Sequence, residues 1–430
     1  MSKPQASDGA IGIDLGTSGL RAIAINSRGE VLGQNAVGFT NRQMRRDPEV
    51  LIAALRDCLR GLNAGQYLQS AALAIAGTSG SLVPLSASHQ PVGPLSLYND
   101  RVEDPQILSR IAKAAPDESP VQGANSPLGR AMELLQNGAQ KIACEADFLA
   151  SYLCAAPVAT DVNNALKLGA DPQAVTWPDW LTACRVSKAA LPKLTTPGAP
   201  RAALAPDLGV ELRLPKDTQI HAGTTDGCAA ALAAGVSQIG DAVSSLGSTL
   251  VLKMLTRRPI NAPHMGVYSH RLAGGWLVGG ASNTGGAILQ HFFDDAQMAE
   301  MASQIQTNRE TGLHYIPLLS SGERFPVSDP YMMPRLTPRP VEDHLFYQGL
   351  LESLLRLEAQ AYDALRQLGG PAPSRVFTAG GGTKNQAWMA LRKARLPLPF
   401  MPAQSTDTAY GAAKLALSET KSMMDLATIS

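Results

Sequence analysis

Residues 11–26 read IGIDLGTSGLRAIAIN, and this stretch decides the fold. Ile11 and Ile13 alternate with small residues, Gly16-Thr17-Ser18-Gly19 breaks the run, and Ala22 to Ile25 resumes it. That is the pattern of two short strands around a glycine turn. Val31 to Phe39 predicts a third strand after the Arg28-Gly29-Glu30 turn. Asp47-Pro48-Glu49 then opens a helix, because Val50, Leu51, Ala54, Leu55, Cys58, Leu59 and Leu62 keep helical spacing. Ala71 to Ala76 predicts a further strand that ends in Gly77-Thr78-Ser79-Gly80.

The second half repeats this grammar. Asp241 to Leu255 (DAVSSLGSTLVLKML) is again strand, glycine turn, strand, and Gly274 to Gly280 is a third strand. An amphipathic helix follows, with Leu351, Leu354, Leu355, Glu358, Tyr362, Leu365 and Leu368 at three- and four-residue steps. Val376 to Ala379 leads into Gly380-Gly381-Gly382-Thr383. The echo of Leu15-Gly16-Thr17-Ser18 in Leu246-Gly247-Ser248-Thr249 points to a duplicated unit. Two α/β domains are therefore expected, 1–225 and 226–407, with a C-terminal helix about 408–430 that packs back on the first. The Pro- and Ala-rich stretch 191–207 reads as a long surface connection.

A chain of 430 residues is too long for one ordinary core. Its 37 basic and 36 acidic residues give no basic footprint for nucleic acid or an anionic membrane. Five cysteines without a CxxC pair read as reduced thiols, and the seven histidines lack HExxH spacing. No apolar run approaches the ~18 residues of a membrane span. Met1 to Ala10 is polar, without the apolar region of a signal peptide. The expected location is cytoplasmic.

Two carboxylates stand out. Asp14 ends the first strand beside Gly16-Thr17. Glycines let backbone amides approach phosphate closely, a carboxylate there can hold Mg²⁺ through water, and Thr17 offers a hydroxyl to a phosphoryl group. A plain hairpin turn would look the same. Asp226, in Gly223-Thr224-Thr225-Asp226-Gly227, precedes the small-residue helical run Cys228 to Gly235. It reads either as a helix N-cap or as a general base over a substrate hydroxyl, and pairing with the Asp14 loop favours the base. The turns Gly247-Ser248-Thr249, Gly279-Gly280 and Gly380-Gly381-Gly382 suit adenine and ribose lying against backbone, or are simply turns. Asn385 either reaches the nucleotide or starts the next helix. No GxxxxGK[ST], HRD, DFG or strand-linked GxGxxG occurs, which sets aside P-loop, protein-kinase and dinucleotide folds.

Taken in order, the segments IGIDLGTSGLRA, IAGTSGS (75–81), YNDR (98–101), EADFL (145–149), TDVNNALKLG (160–169), AGTTDGCAAALAAG (222–235), SSLGSTLVLK (244–253), SGERFPVSDP (321–330) and TAGGGTKNQ (378–386) resemble the FGGY family of carbohydrate kinases. The likeness is greatest to the small D-ribulose kinase group of cyanobacteria and plants. It implies two ribonuclease-H-like (actin-like ATPase) domains with an active-site cleft between them, the sugar mainly on the first and ATP-Mg²⁺ mainly on the second. By the same resemblance Asp226 is the base, and Asp14 and Thr17 form the phosphate and metal loop. Ser79 and Asp147 lie near the sugar, with Asp14 and Asp226. Gly247, Ser248, Thr249, Gly280, Gly381, Gly382 and Asn385 face the nucleotide. Tyr98 stands where many members carry Trp, which changes a wall of the sugar site.

The expected activity is ATP-dependent phosphorylation of a small sugar, D-ribulose to D-ribulose 5-phosphate first, with D-xylulose or another ketose or polyol as the alternative. ATP, Mg²⁺ and a ketopentose are the expected partners. Lobe closure would keep water from competing as acceptor. A non-catalytic sensor of nucleotide or sugar is the rival from another class, and it would need no base.

Overall fold

The alternation in the opening segment builds strands because one face is apolar and the other is made of residues small enough for a helix to lie on. The computed structural model describes residues 7–427. Residues 1–6 of the polar N-terminal reading, and 428–430 of the expected last helix, lie outside them. Strands β1 (Ser7–Leu15) and β2 (Gly19–Asn26) pair antiparallel from Gly9↔Asn26 to Leu15↔Leu20. Ile11, Ile13 and Leu15 are fully buried on one face. Strand β3 (Val31–Gly38) extends the sheet beyond β2. Helix α1 (Pro48–Leu62) is capped by Asp47, whose carboxylate accepts the Glu49 amide at 2.9 Å. Its Leu51, Leu55, Leu59 and Leu62 face the β1 side chains.

Strand β4 (Leu68–Gly77) runs parallel to β1. Residues 82–191 leave the sheet to form a smaller layer with its own apolar cluster of Ile107, Ile111, Leu128 and Leu181. Helix α2 (Glu145–Cys154) packs back against β4. The stretch 191–207 is more than a connection. Leu194–Thr195 pairs with Thr160–Asp161, and β5 (Pro200–Ala203) forms the sheet's outer edge, where a proline's missing N–H does no harm. Strands β6 (Asp217–His221) and β7 (Thr224–Thr225) both lie parallel to β4, and helix α3 (Asp226–Ala234) follows directly.

The second sheet repeats the plan with β8 (Asp241–Leu246), β9 (Leu250–Thr256), β10 (Tyr268–Leu272) and β11 (Gly275–Ala281). Helices α4 (Gly286–Phe292), α5 (Asp295–Ala302) and the long α6 (Asp343–Gln367) come next. Strand β12 (Arg375–Ala379), helix α7 (Gln386–Arg395) and strand β13 (Phe400–Met401) complete it. The sheet orders are β3-β2-β1-β4-β6-β5 and β10-β11-β9-β8-β12-β13. With the edge strands β5 and β10 set aside, each contains a third-second-first-fourth-fifth run, with the first three strands antiparallel and the last two parallel to the first. This is the ribonuclease-H-like arrangement, present twice.

Helix α8 (Thr408–Ala427) returns to the first sheet. Ala409, Ala413 and Ala416 lie on Ala10, Ala72 and Ala74. The approach is so close that a Cβ at Gly12 would come within 1.9 Å of the Ala409 carbonyl oxygen. The chain to Ala233, with the segment from Asp407, forms one compact unit, and Ala234–Thr406 forms the other. The division follows α3 because Ala229 clusters with Ala76 and Ala412 inside the first unit. All five cysteines are free. Among the described residues no helix is long and apolar enough to cross a membrane.

Candidate active site

Three parallel strands of the first unit end level with one another. Asp14 is in register with Ala76 and Leu15 with Gly77, while Thr224 and Thr225 stand opposite the same two residues. The residues just beyond are Gly16–Ser18, Thr78–Gly80 and Asp226, at the carboxyl edge where parallel sheets take ligands. Asp14 is lifted from 3.8 to about 7, first by burial and then by the like charges of Asp226 and Asp407, with Arg21 opposing. Arg21 is the cross-strand partner of Asp14 and bonds Asp407 at 3.1 Å. Asp407 is the acidic residue that sequence reasoning missed, since it lies 393 positions after Asp14 and only the return of α8 brings it near (407 − 14).

Asp226 is the first residue of α3, and its Oδ1 accepts the adjacent Gly227 amide at 2.6 Å. A plain cap would instead bind an amide two or three residues on. Its Oδ2 has no hydrogen-bond partner among the described residues. Gly16 needs no glycine for internal reasons. A Cβ there would meet the Gly19 oxygen at 3.5 Å and Asp14 Oδ2 at 3.9 Å, which are ordinary contacts. Thr17 is exposed at the tip. The concentration of negative charge at Asp14 suits a hard cation. A carboxylate at such an edge can hold Mg²⁺ through retained waters.

Ser79 lies in the turn after β4, and its Oγ is buried without a hydrogen-bond partner among the described residues. The carboxylate of Asp147, expected near the sugar, is taken up by protein partners. Its Oδ1 bonds Arg201 at 2.6 Å and its Oδ2 bonds Thr160 at 2.5 Å, with both ion-pair partners almost wholly buried. The helical spacing of EADFL instead turns Glu145 toward Thr78. Burial pushes the Glu145 carboxyl up, Arg45 opposes that, and Asp226 adds to it.

In the second unit a cavity of about 570 Å³ opens beside the β8–β9 turn and the glycine turn after β12. This is a normal size for a small-molecule site. Gly247, Ser248, Gly381, Gly382 and Asn385 all line it. Gly381 and Gly247 have no protein atom nearer than 3.9 Å to a built Cβ, so nothing internal demands glycine there. Gly382 does pack, since a Cβ would sit 2.5 Å from Leu246 Cβ. Asn385 starts the next helix and also lines the cavity. Its Oδ1 caps α7 by accepting the Trp388 amide at 2.9 Å, and its Nδ2 donates to Tyr347 Oη at 2.8 Å on the cavity wall. Gly280 is corrected. It lies under the Phe325 ring, 2.6 Å from a built Cβ, and does not line the cavity. Thr249 is not a lining residue either, because its backbone packs against Gly285. Sequence reasoning missed the far wall of Leu289, Gln290, Asp295, Met298 and Tyr347, which comes from α4, α5 and α6. No local motif marks those helices.

Two ribonuclease-H-like units, one edged by carboxylates and the other holding a glycine-bordered cavity, define the actin-like ATPase class of fold. Residues 242–419 match the FGGY family of carbohydrate kinases, C-terminal domain, the family that the motif series resembles. A xylulose kinase of Klebsiella pneumoniae is 26% identical over 344 residues, covering 74% of this chain and 71% of the relative. The xylulose kinase of Escherichia coli is 25% identical and covers 94% and 89%. Among solved structures, a ligand-bound xylulose kinase from Lactobacillus acidophilus superposes with a TM-score of 0.81 at 16% identity, covering 97% and 90%. A gluconate kinase from the same species gives 0.82 at 16%, covering 96% and 89%. These likenesses establish the fold of both units.

Proposed function

We propose that this protein transfers the γ-phosphoryl group of ATP to a terminal hydroxyl of a small sugar, with D-ribulose the first candidate and D-ribulose 5-phosphate its product. The observation that carries the reading is the levelled edge of β1, β4 and β7, which brings Asp14, Ser79 and Asp226 together. The first unit would bind the sugar, and the second would bind the nucleotide in its glycine-bordered cavity. Asp226, with one carboxylate oxygen unengaged, takes the proton of the sugar hydroxyl as the hydroxyl oxygen bonds to the γ-phosphorus. The bond from phosphorus to the bridging oxygen of ADP breaks in the same displacement. Asp14 would hold Mg²⁺ through water, and the cation balances phosphate charge when bound. The amides of Thr17 and Ser18, which have no protein acceptor among the described residues, are available to phosphate oxygens. Five unbridged cysteines fit a reducing, cytoplasmic setting.

D-xylulose is the second reading, favoured by the names of the curated relatives. ATP consumption against a panel of ketopentoses, polyols and aldonic acids tests both. Turnover with D-ribulose above D-xylulose supports the first reading, and the reverse order supports the second. ATP and sugar binding without turnover of any panel member would instead indicate a sensor.

A further inference from the structure

The stretch Thr160-Asp161-Val162-Asn163-Asn164-Ala165 belongs to the motif series, yet the chemistry above gives it no part. It is polar and buried along its whole length. Thr160 Oγ1 donates to Asp147 Oδ2 at 2.5 Å, and Asp147 Oδ1 accepts Arg201 Nη2 at 2.6 Å. Asp161 caps the short turn Val162–Ala165. Its Oδ1 accepts the amides of Asn163 at 2.9 Å and Asn164 at 3.1 Å, and its Oδ2 accepts Asn164 Nδ2 at 2.6 Å. Burial first, then the like charge of Asp147, push the Asp161 carboxyl up, and Arg201 opposes them. Two buried carboxylates and one guanidinium thus hold a turn of four residues, although buried charge seldom adds stability over apolar packing.

Asn163 is the side chain through which that turn meets the expected base. Its Nδ2 donates to Thr224 Oγ1 at 2.9 Å and lies 3.9 Å from Cys228 Sγ. Thr224 stands two residues before Asp226 in β7, and Cys228 two residues after it in the first turn of α3. One amide group therefore joins both arms of the strand-to-helix corner whose tip is Asp226. Asn163, Thr224 and Cys228 are all fully buried. Apolar side chains could fill the same space, but a hydrogen bond also fixes direction. Direction is what a general base needs, since it must stand within hydrogen-bond reach of the proton it takes.

We propose that Asn163 is a positioning residue for Asp226, tying Thr224 to Cys228 and so setting where the carboxylate stands. Asp147, Arg201 and Asp161 hold Asn163 in turn, so Asp147 bears on the reaction without touching the sugar. The proposal rests on the sugar-kinase reading with Asp226 as its base.

The test is a double-mutant cycle of Asn163→Ala and Asp226→Asn. It is read as kcat, Tm, KM for ATP and KM for whichever sugar the wild type turns over. Asn163→Ala should lower kcat about 10- to 100-fold, as a small misplacement of a reacting group does, with both KM values nearly unchanged. In the Asp226→Asn background it should cost less than about 3-fold, because no base is left to misplace. Thr224→Val, of nearly the same shape, should reproduce the kcat loss, and Thr224→Ser, which keeps the acceptor, should retain the wild-type kcat. If Asn163→Ala does not fold, Thr224→Val replaces it in the cycle. An unmoved kcat in Asn163→Ala, whatever its Tm, overturns the proposal and leaves the kinase reading standing. So does a loss that multiplies in full onto Asp226→Asn, or an equal loss in both Thr224 variants. If Asp226→Asn keeps the wild-type rate, there is no base to position and the proposal falls with that assignment. A wild type that turns over no sugar defeats the kinase reading, and this proposal with it.

Discussion

The two hairpins that open the two sheets share a backbone plan and differ in charge. Leu15 and Leu246 are equivalent, the last buried residue before each turn, so Asp14 in the first unit corresponds to Ser245 in the second. Asp14 sits among Asp226 and Asp407, and burial first, then their like charges, raise it to about 7. Ser245 lies instead against the turn after β12, where its Oγ would be 2.8 Å from a Cβ on Gly380. The second turn is also one residue shorter, since Leu246 pairs with Leu250 where Leu15 pairs with Leu20. In both turns the amides beyond the glycine have no protein acceptor among the described residues. One duplicated scaffold thus supplies the same amides twice. The carboxylates separate the first copy from the neutral second one, and on the function proposed above the first would take the metal and the proton and the second the nucleotide.

The strongest way to break this comparison is at Asp226, the carboxylate with an unengaged oxygen. Asp226→Asn keeps the size of the side chain and should lower kcat about 10²- to 10⁴-fold, with a much smaller change in sugar KM. A variant retaining more than about half the wild-type rate would reduce Asp226 to a helix-start residue.

The equivalent positions give the next contrast. Asp14→Ala should raise the Mg²⁺ requirement and lower turnover together, about 10- to 100-fold, as losses around a bound metal do. Ser245→Ala should leave the Mg²⁺ titration where it is. Identical titrations for both variants would mean that the two turns are not divided in this way.

Two glycines sharpen the contrast between scaffold and site. Gly12→Ala must push against the Ala409 carbonyl and should destabilise by about 1–3 kcal/mol, seen as a lower Tm. Gly247→Ala meets no atom of the protein within 3.9 Å. It should leave Tm unchanged while raising the KM for ATP. A fall in Tm for Gly247→Ala would show that the turn is glycine for folding reasons.

The smallest effect is the pH dependence of the apo protein. Asp14 has a folded value of about 7 against an ordinary 3.8, so between those values the folded chain holds a proton that the unfolded chain has lost. Its contribution to stability therefore falls as pH rises from about 4 to 7 and is level above. Asp14→Asn removes that loss, so its Tm gain over wild type should be larger at pH 8 than at pH 5 when no Mg²⁺ or nucleotide is added. An equal gain at both values would mean that neither burial nor the neighbouring carboxylates raise Asp14 in the folded protein.

Strand and helix patterns were legible because they depend on spacing within the chain. The Ile11-Ile13-Leu15 alternation, the Asp47 cap and the apolar steps of α6 are local signals that burial satisfies directly. The glycine turns at 16, 247 and 381 were legible for the same reason. Asp147 and Glu145 show where this stops. They lie two residues apart at the start of one helix, and spacing cannot say which of them meets Arg201 and which meets Thr78. Gly280 shows it too, since only the fold brings the Phe325 ring over it.

The sequence by itself determined the duplicated α/β plan, the positions of the two principal carboxylates and the glycine turns, because each is written in consecutive residues whose geometry the backbone enforces. The tertiary structure alone decided that Asp407 joins Asp14, that Asn163 meets Thr224 and Cys228, and that α4, α5 and α6 wall the cavity. Those groupings depend on contacts between residues tens to hundreds of positions apart. They are set by how helices close over a sheet, and no periodicity along the chain records that.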